Sequence, residues 1–166
     1  YRIRCGGLSP QVVKVRTWAA PLREGPPRGH IILGMGGTGE GWTVLRTNNP
    51  AHNEHRLVTR LVTEGFVVYE RAWETGWWGV SSDEQGIAAS ACRYRTLVDH
   101  LSADSVAPTC VFGNSGGSSE IAYGLTHHGL GDAVRLAVLG GGPPMGRIDY
   151  GCSANRPEVG WSHLCA

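Results

Sequence analysis

Ser115 is the residue whose type and surroundings in this chain most readily do chemistry. It stands in Val111-Phe112-Gly113-Asn114-Ser115-Gly116-Gly117, a G-x-S-x-G match. The apolar run Thr109 to Phe112 leads into it, and Ser118 to His128, a run that can be helical, follows. A serine on a sharp strand-to-helix turn is held in a strained backbone conformation, with its hydroxyl pushed above the sheet. Such a hydroxyl attacks a carbonyl carbon once a base takes its proton. Gly113 and Gly117 flank the serine where side chains would collide as the backbones close in. In a chain with 25 glycines the bare pattern arises readily by chance, so the strand before it and the helix after it are what single out this copy.

A second glycine-rich stretch, Gly34-Met35-Gly36-Gly37-Thr38-Gly39, follows the short apolar strand His30 to Leu33. It satisfies G-x-G-x-x-G after a strand, the pattern of a dinucleotide-phosphate loop. That use needs the loop to open directly into a helix N-terminus. Glu40-Gly41-Trp42 and then Asn48-Asn49-Pro50 postpone any helix. Glu70, the acidic residue closing the next strand, is also farther along than the usual spacing of about 20 residues. A Rossmann-like dinucleotide-binding domain using Gly34, Gly36 and Gly39 is therefore the alternative reading.

Other polar and aromatic residues have plainer expectations. His127 and His128 are adjacent on a helix, point to different faces and do not easily share a metal. His30 at a strand start is expected to be structural, and His52 and His55 at a helix start to be solvated. Glu120 is expected on a solvated helix face. Trp73, Trp77 and Trp78 lie in a loop after a strand, where they either wall a substrate pocket or pack over the sheet edge.

These residues need elements to hold them. At 166 residues, 41% hydrophobic and 17% charged, the chain is long enough for one domain with a core, spanning 1–166. A net charge of +1 gives no electrostatic argument for nucleic acid or a membrane surface, and no nucleic-acid partner is expected. No apolar run approaches a membrane span. The chain starts at Tyr1, not Met, so the N-terminus is expected to be processed, trimmed or lost, and targeting is not readable from it.

None of the five cysteines has metal-ligand spacing. Cys110 falls in a strand as a small apolar residue. Cys152 and Cys165 lie in a loop-like tail that a disulfide would brace, a pointer to an extracytoplasmic or secreted setting. Free thiols in a cytosolic enzyme are the competing reading.

Val12 to Thr17 reads as an early, partly exposed strand, and Ala20 to Arg28 as a turn. A helix is expected from Asn53, with Leu57, Val58, Leu61 and Val62 on one face and Gly65 able to cap it. Phe66 to Tyr69 is the next strand, and Trp73 to Asp83 a loop. Ser81 with Glu84, or Ser82 with Gln85, can form a capping box. Ile87, Ala91, Tyr94, Val98 and Leu101 recur at helical spacing in the helix that follows. Gly129 can cap the helix after Ser115, and Leu136 to Leu139 is a further strand. Strand–helix alternation from His30 onward predicts an α/β fold, a mostly parallel sheet of about five or six strands with helices on both faces. Both glycine loops then leave from the same sheet edge.

With these parts in place, the chain resembles the α/β-hydrolase family. The matching parts are the strand near Val12, the strand and glycine loop from Ile31 to Gly39, the helix–strand–helix to Leu101, and the turn Gly113 to Gly117. They cover roughly residues 10 to 142, the N-terminal half to two-thirds of such a domain. The resemblance implies a serine hydrolase acting on an ester or related acyl bond of a small-molecule or acyl substrate, with no metal and no organic cofactor. It makes Ser115 the nucleophile and the Gly116 N–H one oxyanion donor. The second donor comes from the glycine loop, at Met35 or Gly36. The family often has His-Gly at the start of that loop, where Gly34-Met35 stands here.

In the family the acid usually follows a later strand and the histidine the last one. Asp149 and His163 keep that order after Ser115, but no strand pair separates them. The spacing favours His163 as an ordinary tail histidine and a natural protein that is longer than this chain. A chain that keeps the serine turn without a working base would be inactive.

Overall fold

The computed structural model describes residues 1–21, 25–37, 39–44, 53–76 and 86–141. Within them one sheet contains β1 (Arg2–Ile3), β2 (Gln11–Trp18), β3 (Gly29–Gly34), β4 (Phe66–Trp73), β5 (Thr109–Asn114) and β6 (Leu136–Gly140). The spatial order is β1-β2-β4-β3-β5-β6. β3 pairs in parallel with β4 and with β5, and β5 with β6. β1 and β2 form the antiparallel flank, β2 pairing with β4. The helices are α1 (Asn53–Thr63), α2 (Gly86–Ser102) and α3 (Gly116–His127).

Period-two alternation divides the side chains of the central strands between two cores. Ile32, Val13, Trp73 and Val111 pack with Tyr94, Leu97 and Val98 of α2 and with Ile121 of α3. Leu33 and Val68 point the other way and meet Val58 of α1. A strand covered on both faces reads as a continuous apolar run, as His30 to Leu33 does. Opposite faces for α1 and α2 follow from right-handed crossovers. The chain steps outward from β3 to β4, then back across β3 to β5. That reversal makes the C-terminal ends of β3 and β5 a switch point, where open α/β sheets hold their ligands.

Most elements fall where the sequence places them, with informative departures. Leu57, expected on the buried face of α1, is 48% exposed, and the inward stripe is Val58, Leu61 and Val62. Gly65, with φ of 92°, follows α1, and Gly129, with φ of 63°, follows α3. β4 runs four residues beyond Tyr69, through Glu70-Arg71-Ala72-Trp73. Trp73 is therefore a strand residue packed under α2 and α3, not a loop residue. Trp77 and Trp78 lie outside the described residues. So do Thr38, His52, Ser81, Ser82, Asp149, Cys152, His163 and Cys165.

A disulfide joins Cys5, between β1 and β2, to Cys92 in α2, a pairing the sequence did not suggest. Cys110 is a half-buried free thiol on β5, and burial pushes its pKa up. Among the described residues no helix is long and apolar enough to cross a membrane. β6 forms one edge of the sheet, and Leu136, Val138 and Leu139 on it are exposed.

Candidate active site

Ser115 joins β5 directly to α3 with φ of 52° and ψ of −118°. Among the described residues it is the only non-glycine residue with positive φ. A positive φ at a residue with a Cβ is costly and persists only where the surroundings enforce it. Here the Ser115 N–H donates to Gly140 O of β6 at 2.9 Å, and its carbonyl accepts from Ser118 N at 2.9 Å. The Ser118 hydroxyl is placed against Gly113 O at 2.7 Å and Gly140 O at 2.8 Å. The turn is thus fastened to both neighbouring strand ends. Gly116 is the first residue of α3, so its N–H is one of those an α-helix leaves without an intrahelical acceptor.

The glycines around Ser115 are demanded by close approach. A Cβ on Gly113 would lie 2.4 Å from Gly117 O, and one on Gly117 would lie 2.5 Å from Gly34 O. α3 therefore enters directly against the ends of β3 and β5. A Cβ on Gly36 would meet Ser115 Cβ at 2.7 Å and Ser115 Oγ at 3.2 Å. The loop after β3 lies on the serine itself, with Gly36 the residue in contact. Of the two sequence-derived donors, Gly36 is the one packed against the hydroxyl-bearing carbon.

Two buried carboxylates brace that loop from opposite faces of β4. On the α2–α3 face, Glu120 Oε2 accepts from Arg71 Nη2 at 2.5 Å. Glu120 Oε1 accepts from Trp73 Nε1 at 2.7 Å and from the Ser90 hydroxyl at 2.5 Å. Arg71 in turn donates to Gly39 O at 2.9 Å and Met35 O at 3.5 Å. On the α1 face, Glu70 Oε1 accepts from Val44 N at 2.6 Å and Oε2 from Trp18 Nε1 at 2.6 Å, with Arg16 Nε at 3.3 Å. Glu70 and Glu120 are both fully buried, so the solvated helix face expected for Glu120 is corrected. Tyr94 lies beside this cluster, with the Arg71 guanidinium 5.9 Å from its ring centroid. Its hydroxyl has no hydrogen-bond partner among the described residues. Burial, with a smaller contribution from Glu120 opposed by Arg71, pushes its pKa up.

Sequence reasoning missed Arg71, Glu120 and Glu70 as parts of the site. The available signal was a Glu-Arg pair continuing an apolar strand pattern into Ala72-Trp73. Adjacent strand residues face opposite ways, so each charge needs its own partner.

No histidine among the described residues is hydrogen-bonded to Ser115. His30 is buried at the far end of β3, stacked on Tyr69 at 5.7 Å. Neither of its ring nitrogens has a partner among the described residues, and burial lowers its pKa. His55 is only half-exposed and packs edge-on against Trp18 at 6.0 Å. His127 contacts Tyr123, and His128 Nε2 lies 3.1 Å from Ala88 O, so the adjacent pair diverges. Asp149 and His163 fall outside the described residues. An open groove of about 420 Å3 lies at the opposite strand ends, lined by Thr109, Asp132 and Arg135 among others, and does not include Ser115. Residues 39–44 form turns and bends, so no helix opens on the glycine loop at the point where a dinucleotide fingerprint needs one.

No family model matches the sequence, and no curated protein does. Solved structures do resemble it. Est1E from Butyrivibrio proteoclasticus, bound to ferulic acid, aligns with 87% of this chain and 53% of its own, with 14% identity and a TM-score of 0.58. A Bacillus licheniformis lipase in mature form aligns with 91% of this chain and 57% of its own, with 12% identity and a TM-score of 0.57. Brefeldin A esterase, a bacterial homologue of human hormone-sensitive lipase, aligns over 75% and 34%, with 21% identity and a TM-score of 0.51. The chain thus spans between about a third and just over half the length of these three structures.

Proposed function

On the α/β-hydrolase fold that this chain shares with those esterases and lipases, we propose that it is the N-terminal portion of a serine hydrolase acting on ester or related acyl bonds. One observation carries the reading: Ser115 is held at φ of 52° between β5 and α3, with Gly36 packed over its side chain. In this mechanism Ser115 Oγ attacks the acyl carbon as a base takes its proton. The N–H groups of Gly116 and Gly36 hold the oxyanion, the proton goes to the departing alcohol, and water releases the acyl group. The substrate is a small molecule or acyl group.

The base and acid come from beyond residue 141, either from Asp149 and His163 or from further chain. Two observations favour further chain. The chain matches only part of the length of its structural neighbours, and β6 leaves apolar side chains open as a strand awaiting cover would. The spacing of His163 makes it the weaker candidate, and these 166 residues alone are expected to have little or no hydrolase activity.

A fluorophosphonate probe tests the assignment. Labelling of the longest natural polypeptide, lost in Ser115→Ala, is expected, with weak or absent labelling of residues 1–166. Labelling that survives Ser115→Ala, or none in the long form, overturns it.

A further inference from the structure

We infer that Arg71, braced by Glu120, is the positioning residue that aims the Gly36 N–H at the reacting oxygen. The inference rests on the hydrolase reading for what that N–H does, but its structural half stands separately.

Arg71 lies beside Gly34 in the β3–β4 register, directly beneath the start of the glycine loop. One guanidinium reaches both ends of the loop, donating to Met35 O and to Gly39 O. The backbone N–H of Trp73 donates to the same Gly39 oxygen at 2.9 Å, so the far end of the loop is doubly held. The near end bears on the chemistry. Met35 C=O and Gly36 N–H belong to one peptide unit, and no peptide among the described residues is cis. In a planar trans peptide the two bonds point in opposite directions. Arg71 draws the Met35 carbonyl inward, toward the α2–α3 core. The Gly36 N–H is thereby turned outward, on the residue whose Cα lies against Ser115.

Glu120 keeps the guanidinium in that place. It sits on α3 five residues after Ser115, so one helix carries both the serine turn and the brace of the opposing loop. Its two oxygens take Arg71, Trp73 and Ser90, so the carboxylate is fixed from three sides and holds Arg71 by one charge-assisted bond from Nη2 to Oε2. Lysine, a point charge on a flexible stem, cannot span Met35 O, Gly39 O and Glu120 at once. The arrangement is a preorganised dipole, set before the substrate arrives.

The test uses Arg71→Lys and Glu120→Gln, both close to native volume, each first checked for a cooperative melt. Amide hydrogen exchange is read on residues 1–166, and phosphonylation of Ser115 and ester hydrolysis on the longest natural polypeptide. The expected result is exchange at Gly39 and Trp73, whose N–H groups donate within the loop to Gly36 O and to Gly39 O, faster by about tenfold or more, with α1 amides unchanged. Phosphonylation and kcat should fall at least about tenfold, approaching the hundredfold loss typical of a missing oxyanion donor, with KM within about twofold. Unchanged exchange at both Gly39 and Trp73 overturns the inference. So does faster exchange with unchanged phosphonylation, because the loop would then be ordered to no catalytic purpose. If the parent protein is not phosphonylated at Ser115, the hydrolase reading fails, and the exchange result still decides whether Arg71 sets the loop. A variant that melts early yet keeps parental kcat below its melting point also overturns it, leaving only a structural role.

Discussion

His30 is the residue whose environment is least complete. It is buried, stacks on Tyr69, and has no partner for either ring nitrogen among the described residues. Burial disfavours its protonated form, so the unfolded chain takes up that proton more readily than the folded one. Stability from this site is full above the ordinary value of 6.5 and is lost as pH falls below it toward the lower folded value. A single proton contributes a slope of at most about 1.4 kcal/mol per pH unit. Urea midpoints should therefore drop between pH 7.5 and 5.5, and drop less in His30→Phe, which keeps a ring against Tyr69. Equal drops in the two proteins would remove His30 as the cause. At this scale the sequence was legible where geometry is local. Gly113, Ser115 and Gly117 are specified within five positions, and the expected strain and close approaches are present. Glu120 was not legible, because an acidic residue on a helix has solvent as its default and its three partners come from β4 and α2.

Among the elements, α2 has the most distant tether, the bridge from Cys92 to Cys5 across a separation of 87 residues. Arg93, the next residue, donates to Ser9 O at 3.0 Å, so the turn between β1 and β2 is fixed to α2 by two neighbouring positions. In the chain-entropy account a loop of that size is worth roughly 4–5 kcal/mol, with measured losses commonly about 2–5. Cys5→Ser should lower unfolding free energy within that range, and added reductant should bring the parent protein to the same value. A change below about 0.5 kcal/mol would show that β1 and its turn are held by packing alone. Neither cysteine belongs to a motif, and pairing connectivity is a property of the fold, which is why the sequence did not reveal it. β4 makes the complementary point. Its second half lies beyond the expected strand Phe66 to Tyr69, and its last residue, Trp73, was expected to open a loop. The strand survives because Trp18, Arg16 and Val44 meet one residue and Glu120 the other, on opposite faces.

For the molecule as a whole, alternation of strand and helix was enough to define a mostly parallel sheet and to bring the β3 loop and Ser115 to one edge. Which strand is central, and which is left open, is decided by pairing and was not written in any one segment. Among the described residues β6 is the open one on the parallel side, with Leu136 at 56%, Val138 at 42% and Leu139 at 40% exposure. An uncovered apolar edge strand is a template for another strand. Residues 1–166 alone should therefore self-associate at micromolar concentration in sedimentation, and Val138→Lys should shift them toward monomer. A monomer at all concentrations would show that this edge is protected. The Cys5–Cys92 bridge carries a further meaning once time is considered. During synthesis at about 5–20 residues per second, Cys5 waits roughly 4–17 s for the 87 residues that separate it from its partner. Cys92 is the next cysteine to be made, ahead of Cys110, Cys152 and Cys165. Within this sequence the order of manufacture thus favours the native pair: a ribosome feeding the chain into an oxidising compartment presents Cys92 to Cys5 before Cys110, Cys152 or Cys165.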